Sequence, residues 1–318
     1  MQANDLFTAI TTQLIADIEA GTGTWKMPWH CLADIGTPVS ADGRHYRGMN
    51  ALWLALSAVA AGTGETRESS DGRGWTSGIW STYRSWQRHG CQVRRGEKGT
   101  AVVLWKPTTS TADDNSDASA DEQPGQRRLI ARTFTVFAAE QVDGADKIIG
   151  RHAADRAGQD SPERLADADR YFAAIDATVI EGGNRAYYSP TDDSIHLPTF
   201  EQFGNAAVAA STKSHEFAHW TGSAERLARD LTGRFGSDAY AAEELVAELA
   251  AAMWCGQMGI SAATRTDHAQ YLAGWISVLK TDARALVTVA SKAQAAVDYL
   301  NVCAGYSPEP AEEATLAA

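Results

Sequence analysis

The most specific chemistry in the chain lies in five consecutive residues, His215, Glu216, Phe217, Ala218 and His219, an H-E-x-x-H string. They fall in an Ala-rich run from Ala206 to Trp220 that contains neither proline nor glycine. Such a run predicts a helix, and positions i and i+4 of a helix share one face, a turn apart. Two imidazoles placed that way can aim at one metal ion. Zinc suits imidazole and accepts an open coordination position, with Mn2+ or another divalent metal as the alternative occupant. Glu216, beside the first histidine, is placed to act as general base on a water at the metal. A metal so held lowers the pKa of its water and polarises a carbonyl, the chemistry of peptide hydrolysis.

A catalytic zinc keeps three protein ligands and one open position. The next helical run reads Ala242-Glu243-Glu244-Leu245-Val246-Ala247-Glu248-Leu249, with an apolar stripe at Leu245, Leu249, Ala252 and Met253. Glu244 and Glu248 lie i, i+4 on a neighbouring stripe, and Glu243 is rotated from Glu244 by about 100°. Glu244 is the expected third ligand, with Glu243 as runner-up. Glu248 is expected to orient a ligand histidine. Tyr240 reads as a packing residue and His196 as a partly exposed strand histidine.

The elements that must hold these residues can be read from period and punctuation. Helices are predicted over 4–20, from Met49 to Ala61 and from about Ser81 to Gly90, followed by strands over 101–106 and 127–137. Ser161-Pro162 opens another helix as cap and first position. A hairpin over 186–197 precedes the motif helix, and it could offer an edge strand to an extended peptide. Helices over 240–258, 267–280 and 282–300 close the chain. Residues 107–126 are acidic and polar without apolar periodicity and are expected to be disordered, as is the tail 306–318. The expected organisation is α+β: a small α/β domain over 1–141, a linker over 142–161, and a mostly helical domain over 162–305.

Composition narrows the setting. In 318 residues, 44% are hydrophobic and 21% charged, as in soluble globular proteins. Cys31, Cys91, Cys255 and Cys303 form no C-x-x-C pair and suit a reducing compartment. The N-terminal segment lacks a basic n-region, and the longest apolar run, 51–62, is too short to cross a bilayer. These features predict a cytoplasmic chain with no membrane partner. The net charge of −12 is uneven. Residues 1–141 carry 14 basic and 15 acidic side chains, whereas 142–318 carry 14 and 25. Within 73–106 there are seven basic residues and one acidic one, Glu97.

That basic segment interleaves Trp75, Trp80, Tyr83, Trp86 and Trp105 with Arg84, Arg88, Arg94, Arg95, Lys98 and Lys106. Proteins that bind single strands combine a basic groove with aromatic faces on which bases stack. A single-stranded nucleic acid is therefore the expected partner, with Trp80, Tyr83 and Trp86 as stacking faces and the six basic residues as phosphate contacts.

The chain resembles the ArdC family of plasmid antirestriction proteins. The residues that carry the likeness are Tyr46-Arg47-Gly48-Met49-Asn50, Thr82-Tyr83, Val93 to Thr100 (VRRGEKGT), Phe134 to Phe137, Tyr187 to Pro190, His215 to Gly222, Gly233 to Gly236, and Tyr240 to Glu248. The resemblance implies an N-terminal domain that binds single-stranded DNA and a C-terminal zincin-like (gluzincin-like) metallopeptidase domain. It further implies protection of incoming mobile-element DNA during conjugation. Two other functions fit the residues: a zinc metallopeptidase whose first domain captures protein substrates, of unknown identity, and a non-catalytic DNA-binding protein with a relict metal site. The intact Glu216 speaks against the relict, and the basic, aromatic segment against the plain peptidase.

Overall fold

A computed structural model of the chain describes residues 3–21, 27–61, 75–108, 128–156, 158–231, 237–262, 268–282 and 284–307. Most of the acidic segment 107–126, most of the tail and the Gly233–Gly236 stretch lie outside these residues. Among the described residues, no helix is long and apolar enough to cross a membrane.

The chain begins with α1 (Ala3–Gly21), the short α2 (Cys31–Ile35) and α3 (Gly48–Ala60). Leu6, Phe7, Ile10, Leu14 and Ile18 recur at helical spacing in α1, and all five are buried. Next come β1 (Trp80–Thr82), α4 (Tyr83–Arg88) and β2 (Gln92–Val93), then the long strands β3 (Thr100–Thr108) and β4 (Arg128–Ala138). The helix expected from about Ser81 is thus split. Its first residues form a strand, and the Thr82 side chain then caps α4 by accepting the Ser85 N–H. β1, β4 and β3 form an antiparallel sheet in that order, with Trp80 opposite Ala138 and Val102 opposite Phe134.

The segment expected as a linker holds β5 (Val142–Asp143), which pairs with β2, and α5 (Asp146–Arg156). Ile148 of α5 is buried with Val39, Trp86 and Val93 in a small core. The apolar residues of α5 are too few to stand out against its polar face, which is why the helix is hidden in the sequence.

After α6 (Pro162–Ala173), capped by Ser161, come β6 (Thr178–Glu181), β7 (Tyr187–Ser189) and β8 (Ser194–Leu197). β7 and β8 are the expected antiparallel hairpin, and β6 adds in parallel on the other side of β8. The helices α7 (Ala206–Trp220), α8 (Asp238–Met258), α9 (His268–Thr281) and α10 (Ala285–Cys303) complete the chain. Asn205 caps α7 by accepting the Val208 N–H at 2.8 Å, and Ser237 caps α8 in the same way.

α8 is the spine of this half. It packs on α7, α9, α10 and α2 and is buried along most of its length. The largest core is continuous across the halves of the sequence. It joins Phe7, Leu14 and Trp29 to Phe217, Leu249, Trp254 and Trp275, and Trp29 meets Trp275 edge-on at 5.3 Å. α7, whose helical face carries both histidines, is wedged between the β7–β8 hairpin and α8.

Candidate metal centre

The α-helical phase of α7 brings His215 and His219 together, with their Nε2 atoms 3.1 Å apart. The facing turn of α8 contributes Glu244. One of its carboxylate oxygens lies 3.6 Å from His215 Nε2 and the other 3.6 Å from His219 Nε2. Two nitrogens and a carboxylate converge on one point. Metal–ligand bonds of about 2.0–2.2 Å in tetrahedral array place donor atoms a little over 3 Å apart, so these spacings fit a divalent ion.

The donors behind the donors follow the same phase. Glu248, one turn after Glu244, sets an oxygen 3.4 Å from His215 Nδ1. Glu243 sets one 3.2 Å from His219 Nδ1. Both imidazoles turn Nε2 to the common point. His219 Nδ1 is hydrogen-bonded to Glu243, the arrangement that fixes the tautomer of a metal-binding histidine, whereas Glu248 stands near His215 Nδ1 without a hydrogen bond to it. Glu243, the runner-up ligand, belongs to this outer layer because its rotation from Glu244 carries it to the far side of His219.

Charge supports the same occupant. Glu216, Glu244 and Glu248 are all at least 93% buried, and Glu243 is nearly so, with a side chain only 10% exposed. Four buried carboxylates demand positive charge. Burial alone would push the Glu244 carboxyl up, but the His215 hydrogen bond and the charges of His219 and His215 hold it down at about 2. Burial would likewise lower His219, yet its bond to Glu243 and the charges of Glu244, Glu243 and Glu216 lift it to about 9. Tyr240 lies close enough to Glu244 to help hold its carboxyl down.

Arg229 escaped the sequence reading. It follows α7 in a loop with no motif of its own. Its guanidinium meets Glu243 through two bonds, Nε to Oε2 at 3.0 Å and Nη2 to Oε1 at 2.9 Å. Arg226, from the same loop, covers the Trp220 ring at 4.0 Å and ion-pairs with Asp193 beyond β7.

The residues expected to meet DNA separate into two groups. Trp80 and Trp86 are fully buried, and the Trp86 indole donates to the Phe137 carbonyl at 3.0 Å. Neither offers a face to a base, because each fills a core under the β1–β4–β3 sheet or beside it. Tyr83 and Trp105 are the exposed aromatics of the segment. Arg84, Arg88, Arg95 and Lys98 are exposed, with Arg88 3.9 Å from Asp42. Arg94 is held inside the turn: it donates to the Glu140 carbonyl and to Glu97 at 3.1 Å. Gln141 braces the same turn by donating to Glu97 and to the Lys98 carbonyl. Gly96 sits there at φ 90°, which side chains rarely adopt. In VRRGEKGT, then, Arg94, Gly96 and Glu97 build the turn, while Arg95 and Lys98 point out. The Lys106 side chain lies outside the described residues.

Comparison with known proteins places these features in a family. Residues 4–137 match the family described as the N-terminal domain of anti-restriction factor ArdC, and 166–292 match the zincin-like metallopeptidase family. An uncharacterized protein of Sinorhizobium fredii, y4eC, is 40% identical over 299 residues, covering 93% of this chain and 92% of that one. A DNA primase TraC of Escherichia coli is 34% identical over 314 residues; the match spans 92% of this chain and 26% of the primase. Among solved structures, the metal-free antirestriction ArdC protein of plasmid R388 superposes with a TM-score of 0.70 at 35% identity, covering 95% and 99% of the two chains. Its Mn(II)-bound form superposes at 0.69 and 31% identity, covering 94% and 98%.

Proposed function

The chain belongs to the ArdC family of antirestriction proteins, and from that premise we propose that it protects incoming mobile-element DNA, binding single-stranded DNA with its first half and a divalent metal with its zincin-like second half. The observation that carries this reading is the convergence of His215, His219 and Glu244 on one point, with the Glu216 carboxylate buried beside them. The R388 relative has been solved with Mn(II), and the imidazole-rich donor set here suits Zn2+ equally.

When bound, the metal supplies Lewis acidity and an acidified water. The chain's own residues do the rest. His215, His219 and Glu244 would hold the ion; Glu243 orients His219 through its hydrogen bond, and Glu248 stands beside His215. Glu216 is the general base and takes the proton of the attacking water. A peptide bond is the substrate we assign to this chemistry, and the match to a zincin-like metallopeptidase family supports it. Handling of DNA is supported by the match to part of a DNA primase and by the exposed Arg84, Arg95 and Lys98.

Elemental analysis of the purified chain tests the centre. One equivalent of a divalent metal per chain is expected for the wild type and almost none for His219→Ala. Equal metal content in the two proteins overturns the assignment.

A further inference from the structure

We propose that Arg229 is a positioning residue for the metal centre: it acts through Glu243 to aim His219, and so ties metal binding to the conformation of the loop after α7. The proposal rests on the metal-binding reading above and extends it to a residue that touches no ligand position itself.

The geometry is a chain of contacts from loop to ligand. The Arg229 guanidinium grips both oxygens of Glu243, at 3.0 and 2.9 Å. Such paired bonds fix a carboxylate in orientation as well as in charge. Glu243 Oε1 then faces His219 Nδ1 at 3.2 Å, which leaves Nε2 directed at His215 and Glu244. Arg229 is 4% exposed at its side chain, so the grip is shielded from water and salt.

The same guanidinium fixes the loop. Nη2 donates to the Ala218 carbonyl at 2.6 Å and Nη1 donates to Thr221 Oγ1 at 2.8 Å. Ala218 lies in the last turn of α7, where carbonyls lack partners within the helix, so one arginine closes both the helix end and the outer face of the centre. Its backbone N–H bonds to the Gly222 carbonyl at 2.9 Å. A Cβ on Gly222 would stand 2.8 Å from Arg229 Nη2, 2.9 Å from Leu231 Cδ2 and 3.0 Å from the His219 carbonyl, so the close packing of the loop favours glycine at that position. Glycine after His219-Trp220-Thr221 thus leaves room for Arg229 and Leu231 together.

The test uses the full-length chain and Zn2+ alone, with affinity read by competition against a chromophoric chelator. Arg229→Ala is expected to weaken Zn2+ binding about 10- to 100-fold, as does loss of groups that orient a ligand. Glu243→Gln is expected to weaken it comparably, and the double variant Arg229→Ala/Glu243→Gln no further than Glu243→Gln alone. Arg229→Lys keeps the charge without the two-point grip and is expected to recover only part of the affinity. Far-UV circular dichroism and a thermal melt report whether each variant is folded. Unchanged affinity in Arg229→Ala overturns the proposal. So does a double variant whose losses multiply, since Arg229 would then act through the fold. If the wild type itself binds no Zn2+, the metal reading fails and this inference with it.

Discussion

His219 lies among the charges of Glu216, Glu243 and Glu244, and its proton is the one that metal must displace. With burial outweighed by those carboxylates, its pKa stands at about 9, above the ordinary 6.5. The sign follows. Its favourable contribution to the metal-free fold is complete below 6.5 and is lost as pH rises through about 9. Glu244, held at about 2 against an ordinary 4.5, contributes above 4.5 and loses that contribution as pH falls towards 2. In the metal-free site these carboxylates favour the protonated form of His219 at pH 7. Binding of Zn2+ is expected to release protons at pH 7, from His219 and from the acidified water. Calorimetric titrations in buffers of different protonation enthalpy measure this, and a heat independent of buffer at pH 7 contradicts it. Glu216 makes a separate prediction. Glu216→Gln is expected to retain the metal equivalent while losing any peptide hydrolysis the wild type performs, because the base is removed and the ligands are not. A variant that still cleaves removes Glu216 from that role.

At the scale of elements, the sequence was most legible where one period and one cap dominate. α1 was recoverable because apolar residues recur at helical spacing, α7 because an Ala-rich run lacks proline and glycine, and α6 because Ser161-Pro162 opens it as cap and first position. The grouping of these side chains was legible for the same reason, since helical phase alone carries His215 to His219 and Glu244 to Glu248. Arg229 was not, because its role depends on a loop path that no period encodes. The tryptophans were misread where the sequence has no depth cue: in a run of alternating aromatic and basic residues, Trp86 and Tyr83 look alike. Trp86 is buried in a small core with Val93, Val142 and Ile148, and Tyr83 is 41% exposed. Trp86→Ala is accordingly expected to lower the stability of the chain by about 3–5 kcal/mol, visible as an earlier urea midpoint. A variant of unchanged stability that has lost DNA affinity would return Trp86 to a stacking role.

At the scale of the whole molecule, the continuity of the large core decides how DNA binding must be tested. The apolar face of α1 and the Trp29 ring pack against helices from beyond residue 240, so a fragment ending at 141 would expose Leu6, Ile10, Leu14, Ile18 and Trp29 together. Charge substitutions in the full-length chain avoid that. The second half, with 14 basic and 25 acidic residues, repels phosphate, whereas Arg84, Arg95 and Lys98 are exposed on the first half, clear of the pinned Arg94. Each phosphate contact on a single strand adds about 0.7 to the slope of log affinity against log salt. The triple variant Arg84→Ala/Arg95→Ala/Lys98→Ala is therefore expected to bind single-stranded DNA more weakly and to flatten the slope by about 2. Tyr83→Ala is expected to weaken binding with little change of slope, since a stacked base contributes about 1–3 kcal/mol without releasing counterions. Duplex, whose bases are already stacked, is expected to bind less well than single strands. The measurement is a fluorescence-anisotropy titration of a labelled oligonucleotide across a salt series, with and without bound metal. A slope unmoved by the triple substitution, or a preference for duplex, would take the DNA-binding surface away from the VRRGEKGT turn and α4.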